Sequence, residues 1–580
     1  MKNTKRFFAM AAALTLAACA AAPMTMNVSA AATENTVSFT GEVKAGVTHN
    51  YSAYKIFNGT VEGDNLTNIS FAKANGFDAF LTALKADTTI GSKFASAGTV
   101  AEVANVLSGF SDKSADAKAF ADFVATHATL LAAPVTGQGS LTLDSDGYYV
   151  IIETGATSGN DYARTSYILT QYDASKGAEI TVKSAAPTVD KQVHDEIDDA
   201  EAGAVDGWGE SADHAINESF QMKLIATIPA DKDFAAYKAY KVAFHDTYNK
   251  GITFENIASV TVAGKTVNAG EAKTDYQLAS NTTNRTLDIT INDIVPAITA
   301  ASKKLGTDEI TVEVIYNVHL NEEAATVNAS ASNLSTSYDN VNGVYLEYSN
   351  NPNWNGSGTA TPGEDTPGDD ESTGKTPEDY VWVFTYESNN NKIDDANKPL
   401  AGAKFQIKNG DTVIKLVDKG NGEYVVADQS SALSTSEGAS PKIVDTMIST
   451  GTDAKFNIKG LDAGTYTLVE KAAPQGYKVA ADTIFHISAT HAEDKTVQGA
   501  DEGTANVTLA TGEGNSLNHT IKDSSSSKLP STGGMGTTLF VLGGGCMAGL
   551  AGIYLGRSAA AKRLAPQGRC CRRSGRRPAP

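Results

Sequence analysis

The amino-acid sequence predicts a mainly β protein: tandem β-sandwich domains of immunoglobulin-like form, the first with helical insertions. Three observations lead there. Runs such as FQMKLIATI, TLDITI and ITVEVIYNV alternate apolar and polar residues, the pattern of antiparallel strands with one buried face. Turn-forming residues separate the short runs near the end of the chain, as a small sandwich requires. The 580 residues, 41% hydrophobic and 20% charged, exclude disorder throughout and suffice for about three or four domains with cores.

In chain order, residues 1–30 read as a secretory signal. Lys2, Lys5 and Arg6 precede an apolar stretch from Phe7, and small residues around Ser29–Ala32 suit a signal peptidase. Leu16-Ala17-Ala18-Cys19 offers a rival reading as a lipoprotein cleavage box, though alanine-rich stretches produce such matches easily. Residues 31–186 form the first domain. Phe77, Phe80, Leu81 and Leu84, then Val103, Val106, Leu107 and Phe110, have the spacing of amphipathic helices. TVSFTGEV before them, and GYYVIIE and SYILTQY after, read as strands. Residues 187–351 form a middle sandwich, with strand runs from FQMKLIATI to GVYLEYS. Residues 352–378, rich in Pro, Gly, Asp, Ser and Thr, read as a linker. Residues 379–526 form a last small sandwich with strands YVWVFTY, KFQIKN, TYTLVE and TIFHIS. Residues 527–580 hold Leu529-Pro530-Ser531-Thr532-Gly533, an uncharged stretch over 535–555 about long enough to cross a hydrocarbon core, and a basic tail.

Charge is unevenly placed. Three Lys/Arg lie in 1–30 and eight in 533–580, with no acid in either, so 31–532 holds 36 basic residues against 67 acidic ones, a net of −31. Such a block lacks the cationic face that phosphate binding needs, which argues against nucleic acid as a partner. Cys19, Cys546, Cys570 and Cys571 all lie outside it, so no disulfide, zinc-thiolate site or cysteine nucleophile belongs to the folded part. The nine histidines show no metal-ligand spacing, and no phosphate loop, nucleophile elbow or zincin pair occurs. No cofactor and no metal are expected.

Several phrases are familiar together: NYSAYKIFNG, GYYVIIE, PTVDKQV, HDTYNKGITF, YSNNPN, KIDDANKPLAGAKF and TYTLVEKAAPQGY. In this order, ahead of LPSTG, they resemble the backbone (major) pilins of Gram-positive sortase-assembled pili over essentially all of 31–556. The pentapeptide, apolar segment and basic tail likewise resemble a cell-wall sorting signal, although the arginine-rich tail 559–580 is longer than usual. The resemblance implies collagen-adhesin-type β-sandwich domains, the last (379–526) of the B type, in a structural shaft subunit that is secreted, wall-anchored and transiently held in the membrane by 535–555. It implies no enzyme acting on outside substrates. A sortase would cleave between Thr532 and Gly533 and pass the Thr532 acyl group to an amine. The implied partners are other copies of the chain, pilus-specific and housekeeping sortases, minor pilins and peptidoglycan. A monomeric wall-anchored adhesin binding host matrix or glycans is the alternative.

The family also implies internal lysine–asparagine or lysine–aspartate isopeptide bonds. A lysine amine is nucleophilic only when neutral, and burial favours that form. A buried carboxylic acid can polarise the target carbonyl and shuttle protons. All three groups must therefore point inward, which strand parity tests. In the middle domain Val242 and Phe244 alternate into Asp246, and Leu346 and Tyr348 into Asn350. With Lys191 of TVDKQV these make a trio in family order, Lys191–Asn350 assisted by Asp246; the plain alternative is a surface lysine with turn-capping Asp and Asn. In the last domain Glu470 is in phase with Tyr466 and Leu468, and Lys392 stands where the family has its reactive lysine. The expected partner is Asp523, in phase with Leu517 and Ile521; Asn518, in phase with polar Thr520 and Lys522, is the fallback. Asp246 and Glu470 would be the autocatalytic proton shuttles.

A shaft also needs an exposed lysine to accept the Thr532 acyl group. The Tyr-Pro-Lys phrase that often supplies it is absent. In the matching place Ile180 and Val182 share one face, which turns Lys183 to the other; Lys176 is the nearest competitor. Asp523-Ser524-Ser525-Ser526-Ser527 matches a D-x-S-x-S metal pattern but lies in a serine linker with no helix after it, a coincidence.

Overall fold

The computed structural model describes residues 34–40, 48–112, 114–156, 165–181, 185–195, 207–352, 373–436, 438–494 and 503–525. The expected signal peptide, Lys183, Leu529–Gly533 and the 535–555 segment lie outside them. No helix among the described residues is long and apolar enough to cross a membrane. The chain divides into a large unit, Met1–Pro474 with Val479–Asp523, and a small one of Gln475–Lys478 with Ser524–Pro580. Within the small unit Tyr477–Lys478 pairs with Ser524–Ser525.

The first domain is built on a five-stranded sheet in which His49–Glu62 pairs with Gly147–Ala156 at its centre. Period-2 alternation divides its side chains between two cores. Ile56 and Val150 face a helical layer of Phe77–Ala86, Val100–Ser108 and Ala115–Thr126, whereas Tyr51, Ala53, Tyr149 and Ile151 face a small sheet containing Thr36–Thr40. The two expected helices are present, and each follows its apolar stripe. The third, ADAKAFADFVAT, was not expected: alanine dilutes its apolar stripe, yet Phe120, Phe123 and Val124 are buried. Its N-cap Ser114 accepts from the Ala117 amide.

The middle domain is a sandwich of two large sheets. One runs through Thr188–Asp195, Ser219–Ile228, Ile310–Leu320 and Ile252–Val262; the other through Asp379–Phe384, Val341–Ser349, Val242–Tyr248 and Thr286–Ile291. Ile310–Leu320 alternates buried and half-buried residues without a break, as a strand against one core must.

The last domain pairs Tyr386–Ile393 in parallel with Asn518–Lys522 in one sheet and Lys404–Asn409 with Gly464–Ala472 in the other.

The join between these two sandwiches differs from the expected linker. Thr373–Lys375 and Asp379–Phe384 both pair with Val341–Ser349, so the middle domain continues past 351 and takes the first strand assigned to the last domain. The reason is in the side chains of Asp379–Phe384. Val381 and Val383 sit in the middle core while Trp382 and Phe384 sit in the last one, all four fully buried. One strand is thus a wall of both cores. A second tie is Ala331–Ser335, which pairs with Thr504–Leu509 of the last domain.

Candidate functional site

Two lysines are fully buried among the described residues, Lys191 and Lys392, and each meets a buried acid. Lys191 lies mid-strand opposite Leu224, and its Nζ crosses the sandwich to ion-pair with Asp246 Oδ2 on the facing sheet. The Lys191 Nζ also donates to the Tyr316 hydroxyl at 2.7 Å; that hydroxyl donates to Asp246 Oδ2 at 2.9 Å. A fourth buried group completes the cluster: Asn342 Nδ2 donates to the Tyr316 oxygen at 2.9 Å. Burial pushes the Asp246 carboxyl above its ordinary range, against the pull of Lys191, Tyr316 and Asn342. Asp246 Oδ1 and Asn342 Oδ1 are both buried without a hydrogen-bond partner. A protonated Asp246 can supply that missing bond by donating to the amide oxygen, which polarises the carbonyl carbon for attack by an amine.

The structure therefore brings Lys191 and Asp246 together, but it brings Asn342 to them rather than Asn350. Register decides this. Asp246 stands opposite Val344 and Tyr248 opposite Asn342. Asn350 is also fully buried, but it lies six residues beyond Val344, on the order of 20 Å along the strand. Residues 342 and 350 share parity, so alternation could not separate them. The usable signal was the N-G-V phrase at 342–344. A Cβ added at Gly343 would lie 2.6 Å from the Tyr380 ring, so glycine lets the next strand close over this point.

In the last domain Lys392 stands beside Ile521 on the parallel neighbour, and Asp523 follows two residues later with its amide bonded to the Ile393 carbonyl at 3.0 Å. Lys392 Nζ ion-pairs with Asp523 Oδ1 and donates to Glu470 Oε2, at 2.9 Å, on the facing sheet. All three groups are buried. Burial raises the Glu470 carboxyl and a hydrogen bond with Asp523 adds to it, while the Ala480 amide and Lys392 pull the other way. Neither Glu470 Oε1 nor Asp523 Oδ2 accepts from an N–H or hydroxyl. Asn518 is exposed and paired in register with Asn389, away from the lysine. Of the two acceptors considered, only Asp523 meets Lys392.

The aromatic floor under each amine is similar. Lys191 Nζ lies 5.2 Å from the Tyr316 ring centre and Lys392 Nζ 5.4 Å from that of Phe405. The first domain has no such cluster among its described residues. Its buried ionic pair is His49 with Glu153, at 2.7 Å. Lys176, the described candidate for an exposed acceptor, pairs with Asp173 at 2.8 Å. His214, Glu218 and Asp462 bring ligand-type atoms within 4.8 Å of one another across two domains, a grouping that no sequence spacing could show. Both carboxylates there accept backbone amides, from Ala215 and Ala463.

No curated protein matches the chain. Among solved structures it is similar to the T6 backbone pilin of Streptococcus pyogenes (16% identity, 86% of this chain and 100% of that one, TM-score 0.45). It is also similar to the major pilin SpaD of Corynebacterium diphtheriae (16% identity, 85% and 98%, TM-score 0.40). A 35 kDa C-terminal fragment of the Streptococcus agalactiae major pilin GBS80 is similar at 20% identity, with 58% and 99% covered and a TM-score of 0.37. Residues 387–502, the stretch that contains Lys392 and Glu470, match the family model described as the SpaA prealbumin-like fold domain.

Proposed function

We propose that the chain is the shaft subunit of a covalently polymerised, wall-anchored surface pilus, stiffened by one internal isopeptide bond in each of its last two domains. The observation that carries this reading is the pair of buried lysine–acid–acceptor clusters, Lys191–Asp246–Asn342 and Lys392–Glu470–Asp523. Salt bridging alone is a poor reason to bury these groups, because desolvation offsets most of the attraction. Bond formation removes both charges. In the middle domain the Lys191 amine displaces ammonia from the Asn342 amide; in the last the Lys392 amine displaces a carboxyl oxygen of Asp523, which leaves as water. Asp246 and Glu470 hold the protons.

The two bonds differ mechanically. The first ties one sheet of the middle sandwich to the other. The second ties the first strand of the last domain to its parallel neighbour at the end of that domain, so tension along the chain bypasses the loops between them. The sorting pentapeptide Leu529–Gly533 lies just beyond. Cleavage after Thr532 would let Lys183 of the next copy accept the acyl group, a head-to-tail contact that grows a filament. Sortases would be its processing partners and peptidoglycan its final anchor.

The test has two parts. The intact mass of the folded chain should fall by about 17 Da for ammonia and about 18 Da for water, as these condensations require. Cell-wall extract of the producing organism should give a high-mass ladder on a denaturing gel, reduced to anchored monomer by Lys183→Ala. Both mass losses without any ladder in the wild type would favour the monomeric adhesin instead.

A further inference from the structure

We infer that the Tyr316 hydroxyl is a catalytic proton carrier of the middle-domain crosslink, moving a proton from the Lys191 amine to the departing nitrogen of Asn342. The inference rests on the isopeptide reading above and adds a residue to it.

The geometry is specific. Displacing ammonia requires the attacking nitrogen to lose a proton and the leaving nitrogen to gain one. Tyr316 Oη lies 2.7 Å from Lys191 Nζ and 2.9 Å from Asn342 Nδ2, so one oxygen touches both atoms that must exchange. Its third contact, 2.9 Å to Asp246 Oδ2, is where its own proton points before the reaction. The ring is fully buried and stands mid-strand opposite Met222, whose sulfur lies 3.5 Å from the hydroxyl. Burial and Asp246 keep the phenol well above its ordinary titration range, so it remains protonated at neutral pH.

The step balances without any outside reagent. With the ion-pair proton moved from Lys191 to Asp246, the amine attacks Asn342 Cγ, forming the new C–N bond while the carbonyl electrons move to Oδ1, held by that acid proton. Once Cγ is tetrahedral Nδ2 carries a lone pair, and the Nζ proton passes to Tyr316 Oη as the phenolic proton swings from Asp246 Oδ2 to Nδ2, leaving Tyr316 unchanged. The Cγ–Nδ2 electrons then leave with the nitrogen as ammonia, and Oδ1 re-forms the carbonyl.

The last domain supplies the internal comparison. Phe405 takes the place under the Lys392 amine that the Tyr316 ring takes under Lys191, but it carries no hydroxyl. There Glu470 itself touches the amine at 2.9 Å, and the same amine pairs with Asp523, so a carboxyl already stands beside the attacking and the leaving groups. In the middle domain Tyr316 bridges them.

The experiment is time-resolved intact mass of the full chain carrying Tyr316→Phe, with Tyr316→Leu alongside. The loss of about 18 Da in the last domain reports that each preparation is folded and competent. Tyr316→Phe should reach that loss normally while the loss of about 17 Da slows about 100-fold or more, the usual scale of a lost proton-transfer group. Tyr316→Leu should be slowed to a similar extent. Wild-type speed in Tyr316→Phe with slowing only in Tyr316→Leu would overturn the relay and leave the ring a packing role. No 17 Da loss even in the wild type would instead defeat the underlying bond, and Lys191→Ala is the control that assigns that loss to this site.

Discussion

The first domain and the two that follow solve the same problem differently. All three bury a pair of ionisable groups between strands distant in sequence. In the first the pair is His49 with Glu153, which can share a proton but cannot condense. In the others it is lysine with a carboxyl, and a carboxamide or second carboxyl lies in reach. The first domain also covers one sheet face with helices, whose amphipathic stripes bury Phe80, Phe94, Phe120 and Phe123 in a conventional core. The later sandwiches share a strand and hold the buried lysine–acid clusters. First and last strands run side by side in the first domain too, where Thr36–Thr40 pairs in parallel with Ala178–Thr181; what it lacks among its described residues is a fully buried lysine beside an acid.

The largest expected effect comes from breaking that difference. Lys191→Ala and Lys392→Ala should each cost about 5 kcal/mol in denaturant unfolding, since each removes closure of a loop of more than about 100 residues. Lys392 and Asp523, for instance, are 131 positions apart. No comparable loss is expected from any single lysine of the first domain, and finding one would erase the contrast.

Asn342→Ala and Asn350→Ala sharpen it next. Asn342→Ala should abolish the loss of about 17 Da and Asn350→Ala should retain it. The reverse pattern, read by peptide mapping, would restore Asn350 as the acceptor.

A smaller effect is expected from pH. Asp246 holds its proton more tightly in the folded chain than in the unfolded one. Its contribution is therefore complete below the ordinary carboxyl value near about 4 and is lost as the pH climbs through the raised folded value. In Asn342→Ala, where no bond consumes the pair, the denaturation midpoint of the middle domain should fall as the pH rises from about 4 to 7. A midpoint that rises over that range would mean Asp246 is ionised in the fold.

The smallest effect belongs to the first domain alone. Thr99 caps the Val100–Ser108 helix in a capping box with Glu102. Thr99→Ala should cost about 1 kcal/mol, seen as a modest drop in the first domain's melting transition, with both crosslink masses unchanged.

By itself the sequence determined which faces are buried. Alternation of period two marked Asp246, Glu470 and Asp523 as inward and Asn518 as outward, because a strand against one core has no other way to satisfy its apolar residues. The last-domain trio was legible for a further reason: Lys392 and Asp523 lie near the two ends of their domain, on strands that run side by side. Position along a strand was not legible. Sliding by eight residues leaves parity unchanged, so Asn350 and Asn342 look alike until cross-strand register sets Tyr248 opposite Asn342 and leaves Asn350 far beyond Asp246. Nor could a linear pattern show that Tyr316 would reach Asp246 from the facing sheet, or that Val381 and Trp382 would enter different cores. Those outcomes depend on which strands pair and at what offset. Tertiary structure decides both, because the inward pattern of each strand is satisfied equally well by several registers and only joint packing of the two sheets selects one.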